Sequence, residues 1–381
     1  MRKVYSIADN IFAPLGFSTQ ENWESLCKNE SGVAPIDSAY EAMNYAYASV
    51  FNEEKLSSHF TKFSLPSSAT SKLEKMFIAS ISEALQHTSV DITSSRTLFV
   101  FATTKGNIDL LDHKEMSSAS RIKLFDMAEY VTKYFGNPNK PMVISNACIS
   151  GVLAIEVASN IVRRGVYDQV VVTGGDLVTM FTLSGFHCFQ ALCKGICKPF
   201  DKDRSGINLG EAAATMILSA QPQSTSDIEI VAGATSNDAN HISGPSRTGE
   251  GLARAIDNAV ATANIGFEDI QYLLTHGTAT LFNDEMEAKA IESKNLSHVP
   301  TNSIKAYYGH TLGAAGILET IVAMQSMKNN LLIKSLGYEN SGISTPLNII
   351  TKNKSTQIKY AMKTASGFGG CNAALILKKH E

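Results

Sequence analysis

Three features of the 381-residue chain predict an α/β layered fold. Short runs rich in Val, Ile and Thr alternate with longer segments of helical period, as strands covered by helices do. A hydrophobic content of 44% supplies apolar surface for one large core or two fused ones. A polar stretch with a proline, QPQSTSD at 221–227, separates two similar halves, 1–220 and 221–381, each alternating strand and helix.

In the first half, TLFVFATT (97–104), PMVIS (141–145), DQVVVTGG (168–175) and AAATMILSA (212–220) are short apolar runs bounded by turn residues, hence strands. In the second, DIEIVAGATS (227–236), IQYLLTHGT (270–278), QIKYAMKTAS (357–366) and AALILKK (373–379) have the same form. Helical periodicity fills the intervals at 150–164, 249–263, 284–294 and 313–329.

Composition narrows the function classes. Lys and Arg total 33 against 36 Asp and Glu, and a net charge of −3 gives no basis for binding nucleic acid. Asp9 and Asn10 interrupt the apolar residues near the N-terminus before a signal-peptide core forms, and no run approaches the ~20 apolar residues that span a bilayer. Six cysteines are too few for a disulfide framework in a chain of this length, so a reduced, cytoplasmic setting is expected, without membrane attachment.

Chemistry-bearing residues fall where strands end, the place where open α/β sheets put their sites. In VISNACISGVLAIEVASNIV, Cys148 sits between a strand and a helix. Two readings are open there: a small buried hydrophobe, or a nucleophile whose pKa the helix N-terminus depresses by about a unit, giving thiolate at neutral pH. His276 follows a strand in LLTHGTATLFNDEMEA. Lys305 and His310 share a loop in NSIKAYYGHTLGAAGILETI, before a Gly/Ala-rich helix. In ASGFGGCNAALIL, Gly367 and Gly369 flank Phe368 and free the backbone to aim N–H groups at a ligand. The cluster HCFQALCKGIC (187–197) lacks the spacing of zinc ligands, and no metal is expected.

Taken in order, these stretches resemble the elongating β-ketoacyl-acyl carrier protein synthases, condensing enzymes of the thiolase superfamily. NACISG is similar to that family's cysteine elbow, HGTATLFNDEMEAKAI to its first histidine motif, NSIKAYYGHTLGAAG to its lysine–histidine motif and GFGG to its glycine turn; KPFDKDRSGINLGEAAA and APLG also match. The resemblance implies a thiolase-like fold whose two βαβ-rich halves build five layers, αβαβα. It implies decarboxylative condensation of an acyl group held on Cys148 with malonyl-acyl carrier protein, in fatty acid or specialised polyketide or aryl-polyene-type synthesis. His276 and His310 would donate to the enolate oxygen, Lys305 paired with Glu287 would organise them, and the N–H groups of Cys148 and Phe368 would hold the acyl-transfer oxyanion. No cofactor is implied beyond the phosphopantetheine arm that the acyl carrier protein brings.

Several positions depart from the family pattern. Ile149 is bulkier than the usual residue after the nucleophile, and Lys105 stands where a small or aliphatic residue limits the acyl pocket. A lysine there implies a short or partly polar pocket; the other reading is that it points to solvent or pairs with Asp109. Lys72, Arg121, Lys123 and Lys198 are candidates for docking an acidic carrier protein. The resemblance implies a homodimer, or a heterodimer with a chain-length-factor-like subunit. The rival reading makes this chain that non-catalytic subunit, although such subunits usually lack the nucleophile. A degradative thiolase would need a second catalytic cysteine and an initiating synthase an asparagine at His310, and neither is found.

Overall fold

The computed structural model describes residues 2–36, 47–63, 70–111, 119–238, 240 and 242–380. In chain order the main strands are β1 (Tyr5–Phe12), β2 (Thr97–Ala102), β3 (Met142–Ile144), β4 (Gln169–Asp176), β5 (Ala212–Ser219), β6 (Ile228–Asn237), β7 (Tyr272–Leu274), β8 (Thr301–Asn302), β9 (Tyr360–Gly367) and β10 (Cys371–Lys379). The helices that concern the site are α1 (Lys72–Leu85), α2 (Leu124–Tyr134), α3 (Ser150–Arg163), α4 (Met180–Cys188), α5 (Glu250–Ala263), α6 (Leu281–Glu292), α7 (Lys305–Tyr308) and α8 (Ala315–Asn329).

The strands run in the order β8-β7-β9-β10-β6-β1-β5-β4-β2-β3. Between β1 and β6 only Tyr5–Glu229 and Ser6–Ile228 pair, so this is two five-stranded sheets joined at a corner. Each repeats one topology: the first strand pairs antiparallel with the last, the last antiparallel with the fourth, and the fourth, second and third run parallel. Three apolar cores separate the layers. One lies under α1 and α2, one under α5 and α6, and the largest surrounds α3 and α8 between the sheets. The result is the expected αβαβα stack.

The predicted strands and the four predicted helices all form. β1 escapes sequence reading because Asp9 and Asn10 break its apolar run. Both find partners: Asn10 donates to the Phe17 carbonyl at 3.2 Å and accepts from Thr19 N–H at 3.1 Å, while Asp9 meets Lys328 of α8 at 3.3 Å. β7 is shorter than 270–278 because the N–H groups of His276 and Gly277 leave the ladder for the Glu287 carboxylate, at 2.9 and 2.6 Å. Lys305 begins the short helix α7 instead of lying in a loop.

Contact between α3 and α8 is backbone against backbone. A Cβ on Gly151 would lie 2.9 Å from Gly316 Cα, and one on Gly316 would lie 2.3 Å from the Val152 nitrogen. Only glycine permits this crossing, and it brings together the N-termini of the two central helices. Cys148 precedes one and His310 the other.

Candidate active site

Cys148 stands on a strained turn between β3 and α3, with Ala147 at φ 44°. Ser150 braces the turn, its hydroxyl donating to the Ala147 carbonyl at 2.7 Å and accepting from Asn146 N–H at 2.8 Å. The sulfur, 8% exposed as a residue, faces a cavity of about 520 Å³ whose wall includes His276, His310 and Phe368. The Cys148 sulfur and one nitrogen from each ring lie within 4.8 Å of one another. The two imidazoles stand edge to face, centroids 5.2 Å apart.

The glycine turn serves the same sulfur. A Cβ on Gly367 would lie 3.0 Å from the Cys148 nitrogen, so the β9–β10 hairpin approaches the elbow closely. The Phe368 N–H favours negative charge on the thiol, and the Phe368 ring, 37% exposed, meets Phe186 and Phe189 at 5.8 and 5.1 Å across the mouth. Gly369, at φ 85°, is held by backbone bonds, its N–H donating to the Ile242 carbonyl at 2.7 Å and its carbonyl accepting from Asn237 at 3.0 Å.

Electrostatics overturn one expectation. Burial pushes the Cys148 thiol up to about 12, outweighing the Lys305 and Lys105 ammoniums and the Phe368 N–H that favour the thiolate. The resting sulfur is therefore protonated at neutral pH, and the helix N-terminus does not deliver a free thiolate. The imidazoles move in the other direction: burial first, then the Lys305 charge, holds His276 and His310 well below the usual histidine range. Both are neutral. Among the described residues His310 has no hydrogen bond to either ring nitrogen.

Lys305 does point at His276, donating to its carbonyl at 3.0 Å with Nζ 3.5 Å from Nδ1. Its carboxylate partner is not the expected Glu287 but Glu319, one turn into α8. Glu287 is consumed by backbone: it accepts from His276 and Gly277 N–H, from Asn283 at 3.0 Å and from Thr364 at 3.2 Å. It shapes the turn on which His276 stands. Asp284 does the same one turn earlier, taking the N–H groups of Thr278 and Ala279 at 2.9 and 3.2 Å and of Phe200 at 2.7 Å.

Sequence reading missed Glu319, Asp176 and Lys363. A glutamate within GAAGILETIVAM, or a lysine within YAMKTASG, is a charge in an apolar element, which demands a buried partner; that was the available signal. Asp176 accepts five bonds, from Thr103, from both donors of Thr104, from Lys105 N–H and from Gly313 N–H, and so ties the loop after β2 to the turn beyond His310.

The remaining candidates separate. Ile149 is 1% exposed in the central core and Lys105 is half-buried; neither lines the 520 Å³ cavity. Lys72 pairs with Glu211 at 2.9 Å and Glu53 at 2.7 Å, and Arg121 with Glu74 at 2.9 Å and the Tyr130 ring. Lys123 is exposed and Lys198 half-buried. In 187–197, Cys188 is exposed, while Cys193 and Cys197 are buried and Cys193 lies 3.3 Å from the Ser205 hydroxyl.

Family models for the N-terminal and C-terminal domains of β-ketoacyl synthases match residues 1–224 and 228–339. A 3-oxoacyl-[acyl-carrier-protein] synthase 2 of Staphylococcus aureus (strain COL) is 28% identical over 400 aligned positions, covering 97% of this chain and 96% of that protein. The ishigamide ketosynthase/chain length factor superposes with a TM-score of 0.91 at 23% identity over the whole of both chains. A chain of the complex between a ketosynthase and its chain length factor from Xenorhabdus doucetiae gives 0.86 at 23% identity, covering 99% and 98%. With the thiolase-like architecture and both domain models matched, the chain belongs to the β-ketoacyl synthase family, as a divergent condensing acyltransferase.

Proposed function

We propose that Cys148 accepts an acyl group from a carrier-protein thioester and that a malonyl-carrier thioester then loses CO₂ and attacks it, giving a β-ketoacyl-carrier product. The observation that carries this reading is the convergence of one sulfur and two neutral imidazoles within 4.8 Å at the floor of an open cavity. In the first step Sγ attacks the thioester carbonyl and the carrier's thiol departs. The proton leaving Sγ is within reach of an imidazole, which returns it to the departing sulfur. The Cys148 and Phe368 N–H groups are the donors for the tetrahedral oxyanion.

In the second step the malonyl C–C bond breaks, CO₂ leaves, and charge accumulates on the thioester oxygen. N–H donors on His276 and His310 meet that charge in a water-poor site. The enolate carbon then attacks the acyl carbonyl and the Cys148 thiolate leaves. No cofactor is needed beyond the arm the carrier brings.

A short or partly polar primer of the aryl or polyene kind rests on the departure from the family pattern at Lys105, which lies on the loop after β2 outside the cavity wall. Lys72, Arg121, Lys123 and Lys198 are the carrier-docking candidates. Among the described residues β3 ends the sheet with Met142 37% exposed, an edge that a second copy would extend into a homodimer. The chain length factor in the X. doucetiae complex makes a heterodimer the other outcome of a sizing experiment. No helix among the described residues is long and apolar enough to cross a membrane, and a cytoplasmic location fits the free thiols.

Intact-protein mass spectrometry after incubation with a panel of acyl-carrier thioesters tests the reading. Acyl mass should appear on Cys148 and vanish in Cys148→Ala, and His310→Ala should still acylate while losing about 10²–10³-fold in malonyl decarboxylation. Absence of acyl mass with every thioester would leave the non-catalytic subunit as the better account. Labelling by long saturated chains as fast as by aryl or polyene primers would refute the primer assignment.

A further inference from the structure

Lys363 lies in the middle of β9, paired in the sheet with Leu274 on one side and Leu375 on the other, and is 0% exposed. Its ammonium reaches Glu319 Oε2 at 2.9 Å and the Thr364 carbonyl. Glu319 Oε1 holds Lys305. One buried carboxylate therefore bridges two buried ammoniums, of which Lys305 touches His276. The next residue of the same strand, Thr364, donates to Glu287 Oε1, which also accepts from His276 N–H while Oε2 accepts from Gly277 N–H. Two adjacent residues of β9 thus hold the two carboxylates that build the histidine site.

We infer that Lys363 is a positioning residue: a tethered cation that locks Glu319 and thereby seats Lys305 against His276. The inference rests on the roles proposed above for His276 and His310. Its physics is charge balance. Lys305 and Lys363 stand against Glu319 and Glu287, and burial lowers the pKa of the Lys363 ammonium while Glu319 supports its charge. Around the two rings the titratable groups are Cys148 from the elbow, Lys305 from α7, Glu319 from α8, Glu287 and Asp284 from α6, and Lys363 from β9. Tyr272 of β7 and Cys197 lie behind them as neutral neighbours. Lys363 adds to the burial and the Lys305 charge that depress both histidines. Removing its charge makes an imidazolium easier to form, so the acid limb of activity moves to higher pH.

The test compares Lys363→Met, which keeps the volume without the charge, with Lys363→Arg and Lys363→Ala. Malonyl-carrier decarboxylation is followed from pH 5 to 9, and ring titrations of labelled histidines are followed by NMR. In Lys363→Met the acid limb and the ring titrations should both rise by about one pH unit, with kcat at pH 7 about tenfold lower and KM for the carrier substrate unchanged within about twofold. Lys363→Arg should keep the parent pH limb. Methylammonium should restore part of the rate to Lys363→Ala and leave the parent enzyme unaffected. A Met variant whose limb and ring titrations match the parent would overturn the inference, whatever its stability. So would parent histidines that titrate near the ordinary value of about 6.5, a measurement that needs no variant to fold. Failure of the parent enzyme to decarboxylate any malonyl thioester, with its rings titrating low, would instead refute the proposed reaction.

Discussion

At Cys148 two effects act on one sulfur. A helix N-terminus and two ammoniums favour the thiolate, while removal from water favours the thiol, and the burial outweighs them to hold the group at about 12. The consequence is measurable with a small alkylating reagent. Reaction of Cys148 with iodoacetamide, followed by mass spectrometry, should accelerate about tenfold per pH unit from pH 8 to 10, because the thiolate fraction is still far from saturation. A plateau above pH 8 would mean that the dipole and ammoniums prevail. The same competition explains why the nucleophile needs neutral imidazoles beside it: a protonated thiol must surrender its proton within the site, and an imidazolium cannot take it. At this scale the sequence was legible for residue type but not for partner. Lys305 was identified and its carboxylate was not, since Glu287 and Glu319 are both within reach in sequence terms and only the backbone N–H groups of the His276 turn decide that Glu287 is already occupied.

At the scale of elements, the crossing of α3 and α8 positions the chemistry. Glycine at 151 and 316 brings the helix N-termini into backbone contact, and the residues just before them, Cys148 and His310, arrive in one pocket as a result. A methyl group on Gly316 must displace the Val152 backbone, so Gly316→Ala is expected to cost about 1–3 kcal/mol, read as a lower urea midpoint, together with slower acylation of Cys148. Gly185 provides the contrast. It lies in α4 with nothing within 4 Å of an added Cβ. Gly185→Ala should be stabilising by about 0.5–1 kcal/mol through helix propensity. Equal and small effects at both positions would show that the central helices have slack. The predicted strands and helices matched because their apolar periodicity is local, whereas β1 was hidden by two polar residues whose partners lie in a following loop and in α8.

For the whole molecule, the repeated five-stranded topology makes each half look like a domain, yet the largest core is shared. Its buried residues come from α3 on one side of residue 224 and α8 on the other, with strands from both sheets. Residues 1–224 expressed alone should therefore lack a cooperative unfolding transition and a dispersed NMR spectrum, because α3 would show its inner face to water. A folded, monomeric N-terminal half would refute this dependence.

The sequence by itself determined the α/β class, the strand and helix pattern, and the types of residue that react, because periodicity and turn chemistry are properties of neighbours along the chain. Tertiary structure decided what each charge faces: Lys305 and Lys363 meeting on Glu319, Lys72 and Arg121 paired with carboxylates, and the cysteine left protonated. Those outcomes depend on burial and on distances between groups far apart in the chain, and no local pattern encodes either.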